Sequence, residues 1–145
     1  MQLPTKILVP VDLSERSEVA IDYAAKMAEK FDATLVLAVN VNLHEQAVLE
    51  EYAEAEDRSI DQAAEDYLFS LAEKYAPGRA VSVVVSFEDF AAEGILRAMK
   101  LSEADAVVIA SHGRTGMTRW ALGSVAEKIA RSSDMPVTII PARGT

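Results

Sequence analysis

Lys6-Ile7-Leu8-Val9-Pro10-Val11-Asp12 is a continuous apolar run of strand length that ends on a carboxylate. Its apolar residues do not alternate with polar ones, so both faces of the strand must be covered, as in a parallel sheet with helices on either side. Working outward, residues 34–39 (Thr-Leu-Val-Leu-Ala-Val) and Ala106–Ala110 repeat the pattern, residues 80–86 form a Val-rich run after Pro77-Gly78, and Val137–Ile140 is a short fifth run stopped by Pro141.

Helical segments separate these runs. Ser14 is the expected N-cap of a helix over Glu15–Phe31, because Ala20, Tyr23, Ala24, Met27 and Phe31 recur along one face. Residues 45–75 are rich in Glu, Ala and Gln and carry an amphipathic stripe through Ile60, Ala63, Ala64, Tyr67, Leu68, Leu71 and Tyr75, with a break expected near residues 57–59. Residues 90–101 are helical despite Gly94, and residues 124–131 form the last helix. The acidic residues Glu50, Glu51, Glu54, Glu56 and Asp57 read as a solvated helix face, and no function is assigned to them. The order is β-α-β-α-β-α-β-α-β with short connections, which predicts an α/β fold: one doubly wound, five-stranded parallel sheet with helices on both faces. No linker or internal repeat interrupts it, so residues 1–145 are read as a single domain.

Composition narrows the function. Half of the 145 residues are hydrophobic, enough for one continuous core. A formal net charge of −9 and a pI near 4.7 repel phosphate backbones, which excludes general nucleic-acid binding. With no cysteine there is no disulfide, thiolate nucleophile or Cys-ligated zinc. The N-terminus carries no signal-peptide pattern and no apolar stretch approaches membrane-spanning length. Together these features predict a cytoplasmic protein without membrane insertion.

An open parallel sheet binds ligands outside the carboxyl ends of its strands, where the strand order reverses. If the first strand is central and the fourth lies beside it, the crevice falls between Val11-Asp12 and the loop beginning at Ser111. That loop, residues 111–123, holds His112, Gly113, Arg114, Gly116, Arg119 and Gly123. Glycines let a backbone approach an anion, and amides at a helix start favour negative charge, so Gly123-Ser124 is a candidate phosphate cradle. The structural alternative is that Ser124-Val125-Ala126-Glu127 is a capping box in which Ser124 caps its own helix. Gly113 and Gly116 are equally readable as turn residues. Asp12 either caps the next helix or accepts from a ribose hydroxyl or base amino group, and its place at a switch point favours the second reading. His112, with no partner in the sequence, is left out of the core site.

At these residues the chain resembles the universal stress protein family, over Lys6 to Ile140. The resemblance is carried by Ile7-Leu8-Val9-Pro10-Val11-Asp12 with Ser14, Ser111-His112-Gly113-Arg114-Thr115-Gly116, Leu122-Gly123-Ser124-Val125-Ala126-Glu127-Lys128, and Met135-Pro136-Val137. The family's nucleotide-binding branch is marked by a glycine, two residues, a second glycine, nine residues and a Gly-Ser or Gly-Thr pair. Here Gly113 takes the second glycine's place, and nine residues, 114–122, separate it from Gly123-Ser124. Ala110 stands where the first glycine belongs. If that position requires positive φ, alanine costs on the order of 1–2 kcal/mol there; if it requires only space, a single methyl must be accommodated. A second departure is Phe87-Glu88-Asp89-Phe90, where the family usually has a Gly-x-Pro entry to its helix.

The resemblance implies strand order 3-2-1-4-5, an adenine nucleotide α-hydrolase-like fold and an adenine nucleotide (ATP, ADP or AMP) as ligand, with Mg²⁺ accompanying a triphosphate. It implies Asp12 at ribose or adenine, Val39 offering backbone to adenine, Pro10 and Val11 as a wall, Ala110, Gly113 and Arg114 along ribose and phosphates, and Gly123, Ser124 and Val125 at the phosphate tail. It also implies a homodimer through the edge strand Val137–Ile140. The expected role is a regulatory nucleotide-binding protein, not an enzyme beyond at most a weak ATPase. The chain has no Walker Gly-Lys-Ser/Thr, no Ser-Gly-Gly loop after the first strand and no His-x-x-His pair. The competing expectation is a nucleotide-free dimeric interaction module of the same fold, with Ala110 as its support.

Overall fold

The computed structural model describes residues 2–112 and 122–141. Its elements, in chain order, are β1 (Lys6–Val11), α1 (Glu15–Phe31), β2 (Thr34–Asn40), α2 (Leu43–Ala55), α3 (Ile60–Tyr75), β3 (Val81–Ser86), α4 (Ala91–Ser102), β4 (Ala106–Ala110), α5 (Ser124–Ser132) and β5 (Val137–Ile140). The strands form one parallel sheet in the order β3-β2-β1-β4-β5, as expected.

The two-faced burial read from the apolar runs is realised in two cores. On one face Ile7, Val9, Leu35, Leu37 and Val108 pack with Ile21 and Ala24 of α1, Leu49 of α2 and Leu68 of α3. On the other, Leu8, Val36, Val107 and Ile109 pack with Ile95 and Met99 of α4 and Ile129 of α5. Successive residues of one strand therefore serve opposite cores, and Leu8 pairs in register with Val36 while Val9 pairs with Leu37. Each fully buried Leu, Ile or Val contributes roughly 1.5–3 kcal/mol, so these strands hold both layers.

The break expected in residues 45–75 separates α2 from α3. Asp57 takes a left-handed φ of 52°, Arg58 N–H donates to Ala53 O at 2.8 Å, and Ser59 restarts the chain as the N-cap of α3 in a capping box with Gln62. Glu50, Glu51, Glu54, Glu56 and Asp57 are all exposed, in keeping with a solvated face. At the amino end of the sheet, Asp105 accepts from Thr5 N, Thr5 Oγ1 and Lys6 N, tying the start of β1 to β4. Among the described residues no helix is long and apolar enough to cross a membrane.

Candidate functional site

At the opposite end of the sheet, β1 leads into α1 on one face and β4 leads toward α5 on the other, so the central strands diverge and leave a crevice. The resulting cleft encloses about 160 Å³. Pro10, Val11, Asp12, Ala110, Gly123, Ser124 and Val125, all expected from the sequence, line it together. Gly113 and Arg114 lie outside the described residues. Val39 is not part of the lining: it is 1 % exposed and pairs in the sheet between Val11 and Val85, and the next residue, Asn40, reaches the cleft instead.

The α1 side of the cleft is built by a closed helix cap. Leu13 adopts φ 69°, a left-handed turn that costs a non-glycine residue on the order of 1–2 kcal/mol. The turn brings Ser14 back toward the preceding carboxylate. Asp12 Oδ1 accepts from Ser14 N–H at 3.1 Å and from the Ser14 hydroxyl, Ser14 Oγ accepts from Ser17 N–H at 3.3 Å, and Asp12 N–H donates to Ser17 Oγ at 3.1 Å. Asp12 therefore braces the cap of α1 while its residue lines the cleft. The two readings of Asp12 in the sequence are compatible rather than exclusive.

The α5 side differs: Gly123, not Ser124, is the N-cap, and among the described residues no side-chain cap bond is made. The alternative reading of Ser124 to Glu127 as a capping box is not realised: Ser124 is the first helical residue, and Glu127 pairs with Arg131 at 3.1 Å. Gly123 has an ordinary φ of −59°, so its need for glycine is spatial. Its N–H donates to Ser111 O at 2.8 Å, and a Cβ there would stand 2.6 Å from that same oxygen. The first amides of a helix have no intrahelical acceptor, and their dipoles sum to a partial positive charge. Here that end, with Ser124, Val125 and Ala126, forms part of the cleft wall.

Ala110 ends β4 with ordinary strand backbone, since positive φ among the described non-glycine residues occurs only at Leu13, Asp32, Asp57 and Glu103. Of the two costs considered for alanine there, backbone strain is absent and only the methyl remains. His112, set aside in the sequence, is 7 % exposed, lies in the cleft wall and has Nδ1 3.1 Å from Ser111 Oγ.

A third wall comes from residues the sequence did not single out: Asn40, Asn42, Glu45, Ala91 and Ile95. Asn40 is buried and accepts from Ser86 Oγ and Glu88 N–H, each at 2.9 Å, while its Nδ2 donates to Glu88 O at 2.9 Å. This pins the unusual Phe87–Phe90 connection to the end of β2. Gly94 makes room for it: a Cβ would lie 2.0 Å from Asn40 Oδ1. Asn42 and Glu45 form the capping box of α2, with Asn42 N–H donating to Glu45 Oε2 at 3.3 Å and Glu45 only 2 % exposed. Only tertiary packing brings these groups to the cleft, so no pattern along the chain marks them.

The cleft thus combines an apolar surface (Pro10, Val11, Ile95, Ile109, Val125), two carboxylate residues (Asp12, Glu45) and a helix start with no side-chain cap among the described residues; none of the described lining residues is Lys or Arg. Among the described residues no group of three His, Cys, Asp or Glu is arranged to hold a metal ion. Such a site suits a ligand with a flat apolar part, hydroxyl or amino donors, and an anionic end.

Comparison with known proteins supplies the context. Universal stress protein MJ0531 of Methanocaldococcus jannaschii is 28 % identical over 149 aligned residues, which cover 93 % of this chain and 81 % of that protein. The solved structure of hypothetical protein MJ0577 superposes with a TM-score of 0.74 at 22 % identity, covering 99 % of this chain and 100 % of that one. A universal stress protein in complex with cAMP matches with a TM-score of 0.65 at 21 % identity (97 % and 99 % coverage), and one from Archaeoglobus fulgidus in complex with dAMP with 0.63 at 20 % (96 % and 99 %). At these identities the structures speak for the shared fold. The family model described as the universal stress protein family matches residues 4–141, and the chain belongs to that family.

Proposed function

We propose that the cleft binds an adenine nucleotide, AMP or ATP, and that the protein acts as a regulatory nucleotide-binding module in which hydrolysis is slow or absent. One observation carries the reading: a carboxylate at the end of β1 and a helix N-terminus after β4 that has no side-chain cap among the described residues line a single crevice between the central strands. The apolar lining suits the base, Asp12 suits ribose hydroxyls as acceptor, and the first-turn amides of α5 suit a phosphate. That relatives of the same fold occur in complex with cAMP and dAMP supports the choice of ligand class. Mg²⁺ would arrive with a triphosphate, since Mg²⁺ is commonly held by phosphates with few protein ligands. Pairing of β5, an edge strand with half-buried residues throughout, would complete a homodimer.

The test is to denature the purified protein, chromatograph the supernatant for ATP, ADP or AMP, and titrate the stripped protein by calorimetry. Retained nucleotide or saturable binding is expected. A second reading, a nucleotide-free dimeric interaction module, is favoured by the Ala110 methyl in the cleft wall and by the absence of Lys and Arg from the described lining. No retained nucleotide and no binding at millimolar ATP or AMP would select it.

A further inference from the structure

The connection from β3 to α4, Phe87-Glu88-Asp89-Phe90, stands out in the sequence, yet none of its four residues lines the cleft. Phe87 is 53 % and Phe90 69 % exposed. Leu43, three residues beyond the end of the adjacent strand β2, is 86 % exposed.

Aromatic rings are ordinarily buried for the apolar area they remove from water, and the packing beneath the connection explains why these are not. Glu88 is bonded through both its N–H and its C=O to the buried amide of Asn40, and Ser86 Oγ donates to the same amide oxygen, each at 2.9 Å. Gly94 closes against this amide from α4, where a methyl would stand 2.0 Å from Asn40 Oδ1. Turning either ring inward would displace a hydrogen-bonded buried amide and find no free volume. From the outside, Arg97 Nη1 adds an ion pair to Glu88 Oε1 at 3.1 Å. The two rings are therefore held in water by a tightly bonded support.

The charge around them is acidic. Asp89 stands between the two phenylalanines in the chain and Glu93 lies in the first turn of α4; both are exposed, while the cation of Arg97 is taken by Glu88. Aromatic faces beside carboxylates suit a guanidinium, which stacks on a ring and donates to an acid. The same charge disfavours a second copy of this surface, and the net charge of −9 disfavours an anionic lipid surface.

We propose that Phe87, Phe90 and Leu43, with Asp89 and Glu93, form a docking surface for an Arg-bearing segment of a partner protein. Its apolar residues cover the exposed rings and its guanidinium groups pair with the carboxylates. The surface does not depend on nucleotide binding in the cleft.

The test uses the full chain and a synthetic hexapeptide of alternating Arg and Leu, with one counterpart carrying citrulline for Arg and another Ser for Leu, followed by calorimetry and NMR. The Arg-Leu peptide should bind saturably, shift the signals of Phe87, Asp89 and Phe90, and bind about tenfold more tightly than either counterpart. Phe87→Ser combined with Phe90→Ser should lower its affinity about tenfold or more. Asp89→Asn combined with Glu93→Gln should lower it too and flatten its salt dependence. Neither pair should move the urea midpoint, because the side chains replaced are exposed; if the phenylalanine pair does, the carboxylate pair decides. Leu101→Ser, at a comparably exposed apolar residue near the other end of α4, should leave affinity unchanged. The proposal is overturned by the absence of saturable binding, by equal affinity for the citrulline peptide, by undiminished binding to the folded variants, or by an equal loss in Leu101→Ser. Dissociation of a dimer, or lost binding to phosphatidylserine vesicles, in the phenylalanine pair overturns it as well, by assigning the surface to a second copy or to a membrane.

Discussion

The two helix starts that flank the cleft solve the same problem in opposite ways. The N-terminus of α1 is closed by its own chain, with Ser14 capping and Asp12 bracing the cap. The N-terminus of α5 has glycine at the cap position and, among the described residues, no side-chain cap bond. A helix end turned toward a cavity must find acceptors for its first amides, and α1 finds them internally whereas α5 presents them to the cleft. The difference teaches which side of the crevice is structural and which is available to an anion.

Gly123→Ala is expected to break this contrast most severely. Its new Cβ meets a backbone oxygen that cannot swing away, so stability in urea should fall by about 1–3 kcal/mol and AMP affinity by calorimetry should fall about tenfold or more. An unchanged affinity would mean that the start of α5 does not hold the phosphate. Asp12→Asn is the next test, because asparagine retains an oxygen to accept from Ser14 while removing the charge. Affinity should fall about tenfold with stability changed by less than about 0.5 kcal/mol; the reverse pattern would make Asp12 purely a brace.

The caps themselves sharpen the comparison. Ser14→Ala should cost about 1 kcal/mol of stability in denaturant titration, whereas Ser124→Ala should change stability by less than about 0.5 kcal/mol, since Ser124 is the first helical residue and not the cap. Equal losses would show that α5 is capped in solution after all.

The smallest effect is expected at the far end of the sheet. Burial alone raises the Asp105 carboxyl, but bonds from Thr5 N–H, Lys6 N–H and Thr5 Oγ1 outweigh it and leave the group below its ordinary value of 3.8. A depressed folded-state pKa stabilises the fold above the unfolded value, and that contribution is lost as pH falls below about 3.8 through the lower folded value. Acid titration of stability should therefore be shallower in Asp105→Asn than in the wild type below that pH. Nucleotide affinity at neutral pH should be unchanged.

Much of this architecture is readable along the chain. Residues 6–11, 34–39 and 106–110 are apolar on both faces, which demands a covered parallel sheet, and Ser14 announces the start of α1 within one residue. The site is readable where it coincides with strand ends, as at Val11, Asp12 and Ala110. It is not readable at Asn40, Glu45 or His112, polar residues that line the cleft only because separate elements converge. Gly94 looked like a helix-weakening residue until the buried Asn40 appeared against it, and Ser124 looked like a cap because capping boxes are local patterns, while the close approach of Gly123 to Ser111 is not.

By itself the sequence determined the alternation of strands and helices and the burial of both sheet faces, because these follow from hydrophobic periodicity and short connections, while the pair of segments at the switch point followed only once the family resemblance supplied the strand order. Tertiary structure alone decided which helix start is closed and which is open, and which polar residues wall the cleft. Those outcomes depend on distances between atoms far apart in the chain, such as the 2.8 Å bond from Gly123 N–H to Ser111 O, which local residue preferences do not encode.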